Sequence, residues 1–319
     1  MSNFDLTGKR VWVAGHRGMA GSAIARRLMQ ENCEVVTVTH AELDLLRQAE
    51  VESWMQSSRI DAVFLAAAKV GGIMANSTRP AEFIYENLTI ETNIIHAAWR
   101  TGVKKLLFLG SSCIYPRMAQ QPMREEALLT GMFEPTNEWY AIAKVTGIKL
   151  CQAYRRQYGC DFVSVMPTNL YGPGDRYDPE GGHVVAALIM KIHAAKAAGK
   201  STVELWGSGT PRREFLFSED LADACVFVMK NYSAELFLNV GTGHDMTILE
   251  LAQSVAKVAG WKGTFTLDQS KPDGMPRKVM DVSRLRAMGW SAPTDFETGM
   301  KEAYRWYVTN VAECIASSV

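Results

Sequence analysis

Short apolar runs alternate with stretches of helical spacing along the first half of the chain. The runs predict strands at Arg10–Ala14, Glu34–Val38, Ala62–Ala66, Lys105–Leu109 and Asp161–Val165. Between them, apolar residues recur every three or four positions, which predicts helices at Met19–Gln30, Glu82–Trp99 and Tyr140–Tyr158. Strands of about five apolar residues, each followed by a helix, are typical of a parallel sheet that is covered on both faces.

This alternation is interrupted by a loop rich in glycine, proline and aspartate, from Tyr171 to Gly182, which is typical of a domain boundary. The segments beyond it predict helices at His183–Ala198, after a Ser218 cap, at Ile248–Ala259 and at Phe296–Val308, and strands at Val203–Trp206 and Leu236–Val240. We therefore expect an α/β protein with two domains. Residues 1–170, joined by residues 236–243, form a doubly wound parallel sheet, and residues 171–235 and 244–319 form a smaller C-terminal α/β substrate domain.

The composition is that of an ordinary globular protein without charge bias. Of the 319 residues, 47% are hydrophobic and 21% charged, and 34 basic residues balance 34 acidic ones. This balance argues against a disordered chain and against a general nucleic-acid binder, which usually carries a basic excess. Because the N-terminus lacks the apolar segment of a signal peptide and no apolar run approaches the roughly 18 residues of a membrane span, we expect a cytoplasmic protein without a membrane partner.

Cysteine and histidine spacing gives no indication of a metal site. The six cysteines form no CxxC pair, and the six histidines form no HExxH motif. We therefore expect free thiols and no metal. The cysteines are Cys33, Cys113, Cys151, Cys160, Cys225 and Cys314.

A glycine-rich loop joins the first predicted strand to the first predicted helix. Gly15, Gly18 and Gly21 recur at intervals of three residues. Such triplets also occur in plain turns, but a strand before and a helix after are the context in which the loop brings a pyrophosphate to the helix N-terminus. The first domain is therefore predicted to be a Rossmann-type dinucleotide-binding domain.

The end of the second predicted strand favours NADP(H) over NAD(H). An NAD site usually places a carboxylate there for the ribose hydroxyls, whereas this chain has Thr39 and His40, and no carboxylate before Glu42. Arg17, inside the glycine loop, is able to pair with a 2′-phosphate, and His40 is able to assist it.

A Tyr-x-x-x-Lys sequence supplies a candidate acid–base group. Tyr140 and Lys144 lie one turn apart on a predicted helix, so their side chains face the same way. A neighbouring cation lowers the pKa of a phenol, although such a pair also occurs as plain surface neighbours. Ser111 follows the fourth predicted strand, at the edge of the sheet where ligands bind, and its hydroxyl is suited to holding a carbonyl oxygen.

The glycine loop, the strand-end serine and the Tyr-x-x-x-Lys sequence, in that order, resemble the extended short-chain dehydrogenase/reductase family. Within it, further segments are similar to enzymes that epimerise and reduce a GDP-linked keto sugar, and the similarity covers nearly the whole chain. These segments are Gly15–Met19, Ala66–Ile73, Gly110–Pro116, Glu134–Glu138, Met166–Pro173, Trp206–Pro211 and Lys271–Gly274.

The resemblance implies NADPH-dependent 3,5-epimerisation and 4-reduction of GDP-4-keto-6-deoxy-D-mannose to GDP-L-fucose. It implies that Tyr140 donates the proton, Ser111 holds the carbonyl oxygen and Lys144 binds the nicotinamide ribose and tunes Tyr140. It further implies that Cys113 and His183 are the acid and base of epimerisation, and which is which stays open. In a purely structural interpretation, a lone cysteine after a strand is a small core residue, and a histidine at the start of a helix only supports the preceding loop.

The resemblance also implies two sets of binding residues. The cofactor set comprises Gly15, His16, Arg17, Gly18, Met19, Ala20, Gly21, His40, Leu109, Gly110, Ser112, Lys144, Pro167, Asn169, Leu170 and His183. The substrate set comprises Asn169, Lys191, Trp206, Arg213 and Asp273. Two positions depart from the family pattern. Lys191 stands where members often carry arginine, and His40 stands where some members carry arginine.

Alternative functions differ in the sugar or in the reaction. A dehydratase is disfavoured, since Ser111-Ser112-Cys113 replaces the Thr-Asp-Glu of related dehydratases. A reductase without epimerisation, or a 4-epimerase, acting on another nucleotide-linked keto-6-deoxyhexose remains open, as does an NADP-sensing module without catalysis. The resemblance also implies a homodimer, in which the helices Glu82–Trp99 and Tyr140–Tyr158 are the expected interface.

Overall fold

The structure, a computed structural model, describes residues 3–178, 182–271 and 273–313, without the side chain of Ile73. Cys314 and residues 179–181 of the predicted boundary loop lie outside the described residues. The strands are β1 Arg10–Ala14, β2 Glu34–Val36, β3 Ala62–Leu65, β4 Lys105–Leu109, β5 Asp161–Pro167, β6 Asn169–Tyr171, β7 Thr202–Trp206, β8 Arg212–Phe217, β9 Leu238–Val240, β10 Asp245–Thr247, β11 Thr264–Asp268 and β12 Arg277–Lys278.

The α-helices are α1 Met19–Leu28, α2 Gln48–Ser58, α3 Ile73–Thr78, α4 Pro80–Arg100, α5 Glu138–Tyr158, α6 Val184–Ala197, α7 Ser218–Asn231, α8 Ile248–Ala259, α9 Ser283–Ala287 and α10 Phe296–Tyr307. Short 3-10 helices span Ser112–Ile114, Glu125–Ala127 and Pro135–Asn137, and a π-helical turn, Val308–Ala312, extends α10. None of the described helices has both the length and the apolar character that crossing a membrane requires.

The main sheet consists of parallel strands in the order β2-β1-β3-β4-β5-β9. Helices α2, α4 and α5 pack on one face, and α1 and α7 on the other, so the strands are buried on both sides. This arrangement explains the nearly continuous apolar runs of the sequence. The predicted fold class, a Rossmann-type doubly wound sheet with a smaller α/β domain, is confirmed.

The smaller domain is built around β8. Strand β8 pairs with β10, β12 and β6, while β7 and β11 form a separate parallel pair. Helices α6, α8 and α10 cover these strands and share an apolar core with them. Because β6 directly follows β5, and β8 leads through α7 to β9, the two domains meet along β6 and β8 beside the main sheet.

Helix α7 differs from its expected position. We assigned residues 171–235 to the substrate domain, but α7 buries Leu221, Cys225 and Met229 against α1 and the main sheet. Helix α7 leads into β9, which pairs in parallel with β5 in the main sheet, so α7 is the last part of the crossover from β5 to β9 and packs on that sheet. Leu285 and Trp290, also assigned to the second domain, belong to the same apolar core.

The sequence predicted Ser218 as the N-cap of α7, but Ser218 does not cap this helix. It is the first helical residue, Phe217 takes the capping position, and the Ser218 hydroxyl has no hydrogen-bond partner among the described residues. The Ser218 side chain is instead buried against the backbone of Gly172, where a Cβ built on Gly172 would lie 2.2 Å from Ser218 Oγ.

Candidate active site

The candidate site lies at the carboxyl edge of the main sheet, where the strand order reverses between β1 and β3. Loops after β1, β3, β4 and β5 surround a cavity of about 520 Å³ at this point. Such reversal points are where open α/β sheets bind ligands. The predicted residues that line it are Gly15, Gly18, Met19, Ala20, Gly21, Leu109, Gly110, Ser111, Ser112, Cys113, Tyr140, Lys144, Pro167, Asn169, Leu170 and His183.

The glycine loop allows close approach of the backbone. Gly15 has a φ of +87°, and a Cβ on it would lie 2.6 Å from the backbone nitrogen of Ala67. A Cβ on Gly21 would lie 2.1 Å from the carbonyl oxygen of Gly15, so helix α1 packs directly on the loop. Gly18 caps α1 without a side-chain hydrogen bond. The start of α1 is therefore suited to an anionic group such as a pyrophosphate.

A second cavity, of about 330 Å³, adjoins the first and shares Gly15 and Gly18 with it. His16, Arg17 and His40 line it. The Glu42 carboxylate accepts hydrogen bonds from Thr39 N and Oγ1, at 2.9 and 2.7 Å, and does not line the cavity.

Glu86 and Asp44 do line the second cavity, but the Glu86 carboxylate is paired with Lys69 at 2.6 Å, and the Asp44 carboxylate accepts the N–H of Leu46 at 3.0 Å and lies 3.7 Å from Arg47 Nε. The two connected cavities therefore fit an extended dinucleotide. The basic residues at the far end suit a phosphorylated ribose.

Tyr140 and Lys144 lie on α5 and project into the main cavity with Ser111. Lys144 is buried, its Nζ donates to the Leu109 carbonyl oxygen at 3.1 Å, and it lies 3.0 Å from Glu91 Oε1. The same Nζ lies 5.7 Å from the centre of the Tyr140 ring. Helices α4 and α5 thus place the Glu91 carboxylate, the Lys144 ammonium and the Tyr140 phenol next to one another in space.

The structure corrects one electrostatic expectation. We predicted that Lys144 lowers the pKa of Tyr140, but the pKa of Tyr140 lies well above its ordinary value. Burial disfavours the phenolate most, and the charges of Cys113 and Glu91 act in the same direction. Lys144 does not offset them, because Glu91 balances its charge.

Cys113 and His183 face the same cavity from different domains. Cys113 is 8% exposed and lies in the short helix after β4, where its N–H donates to Ser111 Oγ at 3.4 Å. Burial raises the pKa of the Cys113 thiol, while Lys278, Ser111 and Lys144 oppose that effect. His183 caps α6, and the structure therefore brings a thiol and an imidazole to one sugar-sized space.

The pKa of His183 is raised, because its Nδ1 interacts with the buried Asp175. The two atoms, Nδ1 and Asp175 Oδ1, lie 3.5 Å apart. Burial acts in the opposite direction but is the smaller effect. The imidazolium is therefore favoured.

Of the predicted substrate residues, only Asn169 lines the main cavity, and its Nδ2 donates to the Glu214 carbonyl oxygen at 2.8 Å. The other four form a strip across the second domain. Lys191 Nζ lies 5.0 Å from the ring centre of Trp206, which is 62% exposed and so is no core residue. Asp273 accepts a hydrogen bond from Ser208 N at 2.7 Å.

Arg213 continues this strip toward the main cavity. A Cβ on Gly274, the residue after Asp273, would lie 3.5 Å from Arg213 Nη2. Nη1 of Arg213 donates to the Arg212 carbonyl oxygen at 2.9 Å. Burial lowers the pKa of Arg213 from a very high value.

Three residues at the site escaped sequence reasoning, namely Glu91, Asp175 and Lys278. Glu91 interrupts the apolar face of α4, which is an unusual place for a carboxylate and the one signal available. Asp175 lies in the glycine- and proline-rich loop that we interpreted only as a domain boundary. Lys278 lies on a two-residue strand, where no periodicity exists to reveal its direction.

The fold and the site define a class. A Rossmann-type sheet with a glycine loop, and a serine, tyrosine and lysine at its carboxyl edge, is typical of an oxidoreductase that exchanges a hydride with a carbonyl compound. The chain belongs to the NAD dependent epimerase/dehydratase family, whose model matches residues 11–241. The family indicated by the sequence motifs is thereby confirmed.

Similar proteins cover nearly the whole chain. A GDP-L-fucose synthase of Sinorhizobium fredii is 56% identical over 313 residues, which are 98% of this chain and 100% of the relative. A GDP-L-fucose synthase of Escherichia coli is 54% identical over 316 residues, covering 96% of this chain and 98% of the relative. The crystal structure of a GDP-L-fucose synthetase from Naegleria fowleri bound to NADP is 27% identical, with a TM-score of 0.89 and 98% of each chain covered.

Proposed function

We propose that this protein catalyses the NADPH-dependent 3,5-epimerisation and 4-reduction of GDP-4-keto-6-deoxy-D-mannose to GDP-L-fucose. One observation carries the proposal. A single cavity combines the reductive group of Ser111, Tyr140 and Lys144 with two further acid–base side chains, Cys113 and His183. A reductase alone needs neither a thiol nor an imidazole at the sugar. The names of the most similar relatives support the same activity.

We propose NADP(H) as the cofactor. The loop from Gly15 to Gly21 and the start of α1 would hold the pyrophosphate, and Arg17 with His40 would hold the 2′-phosphate. Leu109, Gly110, Ser112, Lys144, Pro167, Asn169, Leu170 and His183 would surround the nicotinamide half. When bound, NADPH supplies the hydride that reaches C4 of the sugar.

Tyr140 and Ser111 would handle the oxygen at C4. The raised pKa of Tyr140 keeps the phenol protonated at neutral pH, which a donor to the developing alkoxide requires. Ser111 Oγ accepts the Cys113 N–H, which leaves its own hydrogen free to donate to the carbonyl oxygen. The same two hydroxyls would stabilise the oxygen when an enolate forms during epimerisation.

Cys113 and His183 would exchange the protons at C3 and C5, which are acidic because they lie next to the C4 carbonyl. Asp175 favours the imidazolium of His183, which suits His183 as the acid. Cys113 is then the base that removes the proton, and the electron pair moves into the enolate. Because the two side chains come from different domains, closure of the domains on the sugar would set their separation.

The strip on the second domain would bind the GDP moiety. Arg213 is placed to pair with diphosphate oxygens near the cavity, and Trp206 with Lys191 offers an exposed aromatic face and a cation further away. Asp273 would accept hydrogen bonds from the base or ribose, and Asn169 would contact the sugar.

We also propose a cytoplasmic homodimer that pairs α4 and α5 of the two subunits. At the ends of these two helices the rings of Trp99 and Tyr158 stack with their centres 4.4 Å apart, and Tyr158 is 46% exposed, which leaves an aromatic surface for a second subunit. The unpaired state of the five described cysteines fits a reducing compartment. Light scattering on the wild type and on Tyr158→Glu tests the dimer; an unchanged mass in the variant would contradict this interface.

The proposed activity is tested by incubation with GDP-4-keto-6-deoxy-D-mannose and either NADPH or NADH. We expect loss of NADPH absorbance, and NMR of the product should show the L-galacto configuration of a fucose. A product of D configuration would identify a reductase without epimerisation. Absence of NADPH oxidation with this substrate would contradict the proposal.

A further inference from the structure

Lys278 is a lysine in the main cavity that the chemistry above does not use. It lies on β12, which runs parallel to β8 and places Lys278 beside Arg213. Its side chain lines the same cavity as Cys113, Tyr140 and His183. The second domain therefore directs an amine toward the thiol at the end of β4.

The backbone around Lys278 is fixed from two sides. The next residue, Val279, donates its N–H to Gln121 Oε1 at 2.9 Å, which ties the segment to the loop that follows Cys113. Met280 N donates to Glu214 Oε2 at 2.8 Å, which ties it to β8. Lys278 is thus held between the loop of the thiol and the second domain.

The amine of Lys278 makes no hydrogen bond or ion pair with any residue that the structure describes. Glu214 is the carboxylate near it, but that carboxylate already accepts the N–H groups of Gly243 and Met280, at 2.7 and 2.8 Å. Arg213 is a like charge. A partly desolvated ammonium without an anion is costly, so burial lowers the pKa of Lys278, and an anion that forms close to it would favour uptake of a proton by the amine.

The other titratable groups around Cys113 do not provide it with an unpaired basic partner. Cys113 is influenced by Lys278, Ser111 and Lys144, and it lies near Tyr140. The charge of Lys144 is balanced by Glu91, and burial keeps Tyr140 neutral. Among the described residues that face the thiol, Lys278 is therefore the basic residue without a carboxylate partner.

We propose that Lys278 is the proton partner and counter-ion of Cys113 during epimerisation. Burial favours the neutral amine of Lys278, whose lone pair accepts the proton: the S–H bond of Cys113 breaks, an N–H bond forms on the amine, and the electron pair stays on sulfur. The thiolate then removes the proton next to the carbonyl, while the ammonium of Lys278 stays beside it. Lys278 acts through Cys113 and is thus a positioning residue, and its role rests on the proposed epimerase function.

The pH dependence of thiol alkylation tests this role without any sugar substrate. Wild type, Lys278→Met, Lys278→Gln and Lys278→Arg are treated with iodoacetamide across a range of pH, and modification of the peptide that contains Cys113 is followed by mass spectrometry. The midpoint of the rate profile reports the pKa of the thiol, whereas the plateau at high pH reports its accessibility. The exposed Lys262→Met is the matched control.

We expect the midpoint to rise by at least one pH unit in Lys278→Met and Lys278→Gln, so that alkylation below it slows about tenfold. Lys262→Met should keep the wild-type midpoint, and Lys278→Arg should not raise it, because its guanidinium still acts as counter-ion of the thiolate although it accepts no proton. With GDP-4-keto-6-deoxy-D-mannose, the two neutral variants should also incorporate solvent deuterium at C3 and C5 about tenfold more slowly. Thermal unfolding followed by circular dichroism identifies the neutral variant that is folded.

An unchanged midpoint in a folded neutral variant would overturn the role of Lys278, even if substrate affinity fell. Failure of the wild type to turn over the sugar would instead refute the proposed function, and the alkylation profile would still report on Lys278. The two failures are therefore separable.

Discussion

The ion pair between Glu91 and Lys144 offers the most direct test of how the active site is supported. Both side chains are almost fully buried, with 1% and 3% of their side-chain surface exposed, and Nζ lies 3.0 Å from Oε1. Apart from Lys144, neither Glu91 oxygen has a partner among the described residues. Helices α4 and α5 approach closely here, since a Cβ on Gly147 would lie 2.7 Å from Glu91 Oε2.

The variant Glu91→Leu would leave the ammonium of Lys144 buried without its carboxylate. Removing one partner of a buried ion pair costs about 3–5 kcal/mol, because the remaining charge stays desolvated. The double variant Glu91→Leu/Lys144→Met removes both charges, so it should cost about 2–3 kcal/mol less than the sum of the two single variants. Lys144→Met alone should cost less than Glu91→Leu, because burial raises the pKa of Glu91 and lets it take up a proton.

Urea unfolding followed by circular dichroism measures these differences. The control is Glu82→Gln on the same helix, because Glu82 is 48% exposed and pairs with Lys69 on the surface. Its loss should leave the free energy of unfolding nearly unchanged, because water screens an exposed ion pair. If Glu91→Leu costs no more than this control, or if the two single effects simply add, the buried pair is not the support that we describe.

Three further changes test the assigned roles. Arg17→Gln should weaken NADPH binding about tenfold or more and leave NADH binding unchanged in fluorescence titrations, because only NADPH carries the 2′-phosphate; an equal loss for both would contradict the role of Arg17. Tyr140→Phe should slow NADPH oxidation by about 10²–10⁴-fold, because the alkoxide loses its proton donor, and should slow solvent deuterium entry at C3 and C5 by a smaller factor, because Ser111 still stabilises the enolate; equal losses would contradict the assignment of Tyr140 as the proton donor of reduction. Asp175→Asn should shift the alkaline limb of the epimerisation profile to lower pH, because the pKa of His183 is raised by Asp175 and the acid form is the active one; an unmoved limb would show that Asp175 does not set it.

The parts of the site that follow strands were within reach of the sequence. Gly15 and Ser111 come directly after apolar runs, and the carboxyl ends of parallel strands meet at one edge of the sheet. Tyr140 and Lys144 were reachable for a similar reason, since one helical turn fixes their common face. These positions depend on local periodicity, which a single sequence displays.

The residues that escaped prediction depend on how elements cross. Glu91 reaches Lys144 only because α4 and α5 pack closely at Gly147. Lys278 faces the cavity because the two-residue strand β12 pairs with β8, and so short a strand has no hydrophobic periodicity from which this pairing could be predicted. Helix α7 was placed in the wrong domain for the same reason, because a crossover helix has the same apolar stripe whichever sheet receives it.

These crossings also explain how a chain without net charge creates two different lysine environments in one cavity. The balance of 34 basic and 34 acidic residues says nothing about where charges are left unpaired. Glu91, from the main sheet's own helix layer, balances the charge of Lys144, and burial keeps the proton on Tyr140, as the proposed acid of reduction requires. Lys278 arrives from the second domain without a carboxylate partner among the described residues, so burial lowers its pKa and a proton acceptor lies beside Cys113. In the proposed mechanism, the acid of reduction and the base of epimerisation are thus separated by the placement of two carboxylates, Glu91 next to Lys144 and Glu214 turned toward backbone N–H groups.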